Sequence, residues 1–213
     1  MNKILKKMAY TLLAIVASVF IIGLILAFFP TGSKLTPESI SPEEAATLRD
    51  SYDGPHHLVT TSDWQTLFLR RWDTDSIETA KAGTAILILH GVTAHSGAYN
   101  RAGELLSAGG YPTFGLDYRG HGLSDGNRAD YPDRARWVGD MAESVAYIKK
   151  LGYEKVIILG HSLGVAATIY VTQAIPDEIA GNKKEFLVLE NTYHAKFPDK
   201  SWTIIVNWLD DNF

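Results

Sequence analysis

The chain has 213 residues, 46% of them apolar and 21% charged, which excludes a disordered polymer and allows one domain with a sizeable core. It contains no cysteine, so disulfides, thiolate metal sites and a cysteine nucleophile are excluded. The net charge is −4; setting aside Lys3, Lys6 and Lys7 leaves 17 of the 20 basic residues against 24 acidic ones, a charge of −7, which is no footprint for nucleic acid.

Residues 1–8 form a basic N-terminus. Residues 9–29 carry no charge. As a helix they would extend roughly 32 Å, about the hydrocarbon thickness of a bilayer. The preceding lysines predict a single-pass anchor with a cytoplasmic N-terminus and the rest of the chain outside the cytosol. The alternative is a secretory signal that is cleaved, leaving a secreted protein. A signal has a shorter apolar stretch and a small-x-small exit. Here the exit reads Leu26-Ala27-Phe28-Phe29-Pro30-Thr31-Gly32-Ser33.

Residues 30–54 read as linker plus a short helix. Ser41-Pro42-Glu43-Glu44 supplies a serine cap, a proline in the first turn and acids at the positive helix end. Two strands are expected around 57–60 and 65–71, with a hairpin turn at Ser62-Asp63. Ala85-Ile86-Leu87-Ile88-Leu89 is the apolar run of a strand buried on both faces. A helix at about 99–108 and a strand at 113–116 follow. The spacing of Trp137, Met141, Val145 and Ile148 predicts a helix over 136–151. Val156-Ile157-Ile158-Leu159 is a second buried strand, 163–174 a helix, and 186–189 a last strand. This alternation predicts a mostly parallel sheet flanked by helices over 55–190, with chemistry at the carboxyl ends of the strands.

After Leu159 stands Gly160-His161-Ser162-Leu163-Gly164, a G-x-S-x-G pattern between strand and helix. Such a turn reverses so sharply that Ser162 is strained and its hydroxyl projects above the sheet, while Gly160 and Gly164 avoid collisions with backbone. The helix presents its positive end, and the Leu163 N–H can bind a tetrahedral oxyanion. A second N–H must come from the loop after Leu89, His90-Gly91-Val92-Thr93, where Val92 is the natural donor. After the next strand comes Asp117-Tyr118-Arg119-Gly120-His121-Gly122, which reads as structural, with Asp117 and Arg119 as a local ion pair.

The segments HGVTAHSGAY, DYRGHGLSDG and GHSLG, in that order, resemble the α/β-hydrolase superfamily. Within it they are similar to the monoacylglycerol lipase and lysophospholipase group, which includes serine aminopeptidase-like hydrolases. The similarity covers about 55–195. It departs at Ala98, where the group usually has arginine or another polar residue before the tyrosine. The resemblance implies Ser162 as nucleophile, with the Val92 and Leu163 N–H groups as the oxyanion hole. It implies monoacylglycerols, lysophospholipids or similar single-chain esters as substrates; no cofactor is expected. Superfamily members that use aspartate at the elbow, the dehalogenases and epoxide hydrolases, are excluded by Ser162.

A serine nucleophile needs a base, and the base an orienting acid. In this fold both follow the nucleophile, the histidine last. Only 51 of the 213 residues follow Ser162. They hold one strand and, over 191–213, the opening of a cap. The expectation is therefore an incomplete α/β-hydrolase lacking its later strands and most of its cap. His194 is the one histidine after Ser162, with Glu190 and Asp199 near it. The side chain of His161 should point away from the nucleophile's hydroxyl. No histidine and acid cluster has metal-ligand spacing. Trp202, Ile205, Val206, Leu209 and Phe213 share a helical face that would be exposed unless something covers it. The competing expectation is a catalytically inactive hydrolase-like chain that binds a lipid or a partner.

Overall fold

The computed structural model describes residues 3–28, 40–72, 81–130, 132–176 and 199–212. The expected strand at 186–189, Glu190 and His194 lie outside them, as do 30–39 of the linker. The chain divides into two units, Met1–Ser39 and Ile40–Phe213.

The first unit holds α1 (Lys3–Phe28), apolar throughout after its lysines and exposed along its described length. Its Lys3–Ile25 stretch is long and apolar enough to cross a membrane, a test that a signal sequence also passes.

The second unit opens with α2 (Pro42–Asp50). Its N-terminus is fixed by a reciprocal cap: the Glu44 N–H donates to Ser41 Oγ, and the Ser41 N–H donates to the Glu44 carboxylate at 2.7 Å. Then come β1 (His56–Thr60), β2 (Thr66–Trp72), β3 (Thr84–Leu89), α3 (Asn100–Ala108), β4 (Thr113–Leu116), α4 (Arg134–Lys150), β5 (Lys155–Gly160), α5 (Leu163–Ala174) and α6 (Asp199–Asn212). The described strands form one sheet in the order β1-β2-β4-β3-β5. The pairs β4–β3 and β3–β5 are parallel, whereas β1–β2 and β2–β4 are antiparallel. The carboxyl ends of β3, β4 and β5 therefore lie at one end of the sheet. The β1–β2 hairpin tip lies at that end too, since Leu69 pairs with Leu116 and β2 runs the opposite way.

Alternation along β3 divides the core. Ala85, Leu87 and Leu89 face α4 and α5, meeting Trp137, Met141, Val145, Ile148, Ala167 and Val171. Ile86 and Ile88 face α3 and α6, meeting Ala102, Leu106, Trp202 and Leu209. A strand buried on both faces has no polar positions, which is why its sequence is an unbroken apolar run. The C-terminal stripe is thus covered from within the chain. Trp202 and Leu209 are 8% and 3% exposed, Ile205 and Val206 pack beside them, and Asp210 accepts hydrogen bonds from Lys81 Nζ at 2.7 Å and Tyr111 Oη at 2.8 Å. The expected stripe is met, at these four residues, by α3 and the sheet, and Phe213 lies outside the described residues.

Candidate active site

Ser162 stands between β5, which ends at Gly160, and α5, which begins at Leu163, with φ 56° and ψ −117°. A positive φ is costly for any residue with a Cβ, so the surroundings must enforce it. They do so by crowding. A Cβ on Gly160 would lie 2.3 Å from the Gly164 carbonyl oxygen, and one on Gly164 would lie 2.0 Å from that of Leu89. The His161 N–H donates to the Leu89 carbonyl at 3.1 Å, which ties the elbow to the end of β3. Leu163 begins α5, so its N–H has no partner inside the helix.

The loop after β3 comes against the same point. A Cβ on Gly91 would stand 3.1 Å from Ser162 Cβ. The Gly91 N–H donates to Tyr99 Oη at 3.0 Å, and the same hydroxyl shares a 2.9 Å hydrogen bond with His161 Nδ1. The imidazole of His161 is thus turned to Tyr99, and one phenol joins the β3 loop to the serine's neighbour. Burial pushes the Tyr99 pKa up and keeps its hydroxyl protonated. Val92, the next residue of the loop, is 64% exposed. Ser162, Val92 and Leu163 therefore all lie at the carboxyl end of the sheet, where Gly91 meets the elbow. Pattern reading did not find the Tyr99 clasp; its one local signal was the position of Tyr99 close behind the glycine-rich loop.

His90 is fully buried beneath this loop. Its Nδ1–H donates to the Gly91 carbonyl at 2.7 Å, and its Nε2 accepts from the Tyr118 N–H at 3.2 Å. Those partners require the neutral ring. Burial pushes its pKa from 6.5 down to about 4. The unfolded chain therefore takes up a proton as pH falls from 6.5 towards 4 while the folded chain does not, so stability is full well above 6.5 and falls as pH is lowered through that window. The loss is expected to reach roughly 3 kcal/mol by pH 4. Urea unfolding across pH 7.5 to 4.5 checks this, and His90→Asn should flatten the profile.

Asp117 and Arg119 do not pair with each other, which corrects the expected local ion pair. Asp117 accepts backbone N–H groups from Ser96 at 2.6 Å and Leu123 at 2.8 Å, and so pins the turn Ser96–Tyr99 to the loop after β4. Arg119 reaches Asp63 in the hairpin and Asp140 on α4, two hydrogen bonds to each carboxylate. The Arg119 guanidinium holds the Asp63 carboxyl well below the usual carboxylate range. These partners are 56 and 21 residues away, too far for a local pattern to reveal.

Each of the six described histidines is hydrogen-bonded to a group other than Ser162: His56 to the Gly54 carbonyl, His57 to Tyr147, His95 to the Gly97 N–H, His121 to the Arg119 carbonyl, and His90 and His161 as above. Among the described residues no group of three His, Asp or Glu could hold a metal ion. A cavity of ≈ 480 Å³ adjoins Arg119 and Gln65. Another, ≈ 550 Å³ and mostly apolar, lies between α3, the end of β5 and α6, lined by Tyr99, Ala102, Leu159, His161, Trp202 and Ile205.

A β1-β2-β4-β3-β5 sheet with a strained serine elbow after β5 defines an α/β-hydrolase. Residues 80–195 match the family described as serine aminopeptidase S33, and the chain belongs to that family. The monoglyceride lipase of Homo sapiens is 33% identical over 147 residues, which cover 68% of this chain and 46% of the lipase. The monoacylglycerol lipase of Mycolicibacterium smegmatis is 33% identical over 81 residues, or 37% of this chain and 29% of that protein. The chain thus spans about half or less of the curated relatives it matches. Among solved structures, ferulic-acid-bound Est1E of Butyrivibrio proteoclasticus superposes with a TM-score of 0.51 and 25% identity, covering 58% of this chain and 49% of that one.

Proposed function

We propose that this protein is a membrane-anchored serine hydrolase of carboxylic esters with a single acyl chain, monoacylglycerols or lysophospholipids, and that it works through an acyl-enzyme on Ser162. The observation that carries the reading is Ser162 at φ 56° with the β3 loop packed against its Cβ. Strain of that kind is retained where chemistry uses it.

In the first step Ser162 Oγ bonds to the ester carbonyl carbon and gives its proton to a histidine base. The carbonyl oxygen becomes an oxyanion held by the Val92 and Leu163 N–H groups. The C–O bond to the alcohol then breaks, and the alcohol leaves with that proton. Water cleaves the acyl-serine ester, releasing the carboxylic acid and restoring Ser162. The apolar cavity reaching His161 has the size of a small-molecule pocket and suits one acyl chain. The monoglyceride lipases among the relatives support the same substrate class. The Lys3–Ile25 span supports an anchor, and the lysines at its start support a cytoplasmic N-terminus with the hydrolase unit on the other side.

The engagement of all six described histidines favours a second reading, a hydrolase-like chain that binds such an ester without turning it over. A fluorophosphonate probe and a short-chain nitrophenyl ester separate the two. The hydrolase gives a covalent adduct on the Ser162 peptide and steady turnover. A purified full chain that shows neither sinks the enzyme reading.

A further inference from the structure

Trp64 occupies the tip of the β1–β2 hairpin, where a tryptophan is out of place by every packing criterion. It is 85% exposed, whereas Trp72, Trp137 and Trp202 are 8% or less exposed. Its φ is +65°, in the region where glycine is the ordinary occupant and a large side chain is disfavoured. Burial repays none of that strain.

The surroundings hold the tip in this form. The Trp64 N–H donates to the Thr61 carbonyl at 2.9 Å, and the buried Thr61 Oγ1 donates to Asp63 Oδ1 at 2.6 Å while accepting the Gln65 N–H at 3.0 Å. On one side Ser62 gives its N–H and hydroxyl to Glu143 at 2.9 and 2.8 Å. On the other Asp63 is clamped by Arg119 at 2.8 Å. A loop fastened to α4 and to the loop after β4 thus presents one bare indole in a fixed direction.

The place of the tip in the fold suggests its use. It lies at the carboxyl end of the parallel strands, the end that carries Ser162. The same end exposes Val92 at 64%. We propose that Trp64 is an interfacial anchor that docks this end of the hydrolase unit on a zwitterionic lipid bilayer. The indole has an apolar body and one N–H donor, the pairing that concentrates tryptophan at the membrane–water boundary. The unit's acidic charge turns it away from an anionic surface and leaves the uncharged one. The anchor proposed for the apolar Lys3–Ile25 span brings a bilayer to the same chain. In this respect the inference rests on the anchor part of the reading above, but it is independent of catalysis.

The test uses the full chain in phosphatidylcholine vesicles whose acyl chains are brominated near the headgroup. Trp64→Gly removes the indole and relieves the positive φ, so this variant is expected to melt at or above the wild-type temperature. The emission lost between wild type and variant then belongs to Trp64. It is expected to be blue-shifted with vesicles and largely quenched by the brominated lipid. Flotation of the chain with the vesicles scores the anchor separately. A chain that floats while its Trp64 emission stays red and unquenched overturns the docking alone, and a chain that does not float overturns anchor and docking together. A blue shift that grows with protein concentration in the absence of lipid assigns the indole to a second copy and overturns the lipid surface.

Discussion

Alanine at position 162 is expected to lower kcat/KM for a nitrophenyl ester by on the order of 10⁴-fold or more, with the melting temperature almost unchanged. The size of the loss follows from what the residue supplies. On the proposed mechanism no acyl-enzyme forms without Oγ, and what survives is binding and oxyanion stabilisation of a direct attack by water. The fold should be indifferent, because the crowding that imposes φ 56° comes from Gly160, Gly164 and the Leu89 carbonyl rather than from the hydroxyl. Ser162→Gly sharpens the comparison. It loses the same chemistry, yet relieves the strain, and should gain about 1 kcal/mol of stability. Activity and stability measured on both variants thus separate the proposed role of the Ser162 hydroxyl from that of its backbone conformation. If Ser162→Ala kept most of the turnover, the catalytic group would have to lie elsewhere.

How much of this was legible in the sequence depends on the range of the interactions involved. The Ser41 cap and the bounds of α5 at Leu163–Ala174 follow from neighbours within a few residues, and both read correctly. So did β3 and β5, because burial on both faces leaves an unbroken apolar run. The elbow was legible for a different reason: backbone collisions admit few residue types at Gly160 and Gly164, so the geometry is written in the glycines. What failed to show were contacts between distant segments. Asp117 and Arg119, close in the chain, were read as a pair, yet each is committed to partners brought in by folding. Trp64 escaped notice because exposure and backbone sign are properties of the assembled hairpin, whereas its neighbours Ser62 and Asp63 announced only a turn. The C-terminal stripe was legible as a face, but its cover, α3 and the sheet, was not.

Asp140→Ala is expected to cost the hydrolase unit about 3–5 kcal/mol, the largest stability loss among the ion pairs described. Asp140 is 1% exposed, and its carboxylate accepts three hydrogen bonds from two guanidinium groups. Arg119 binds it through Nε and Nη2 at 2.9 Å each, and Arg136 binds it through Nε at 2.8 Å. Removing it leaves Arg119, itself 6% exposed, with only the partly exposed Asp63 to balance a buried charge. The penalty is that of an uncompensated cation, larger than the net worth of the original pair. In a domain of this size the fall corresponds to roughly 10 °C in melting temperature. Because the network is mostly buried, raising salt should change the result little. The double variant Arg119→Met with Asp140→Leu should recover much of the loss, since an apolar replacement leaves no stranded charge. The consequence also travels. Arg119 fastens the hairpin tip through Asp63, and the same loop holds the Ser96 turn behind the β3 loop through Asp117. A variant that melts within about 1 kcal/mol of wild type would show instead that these charges behave as a solvated surface cluster.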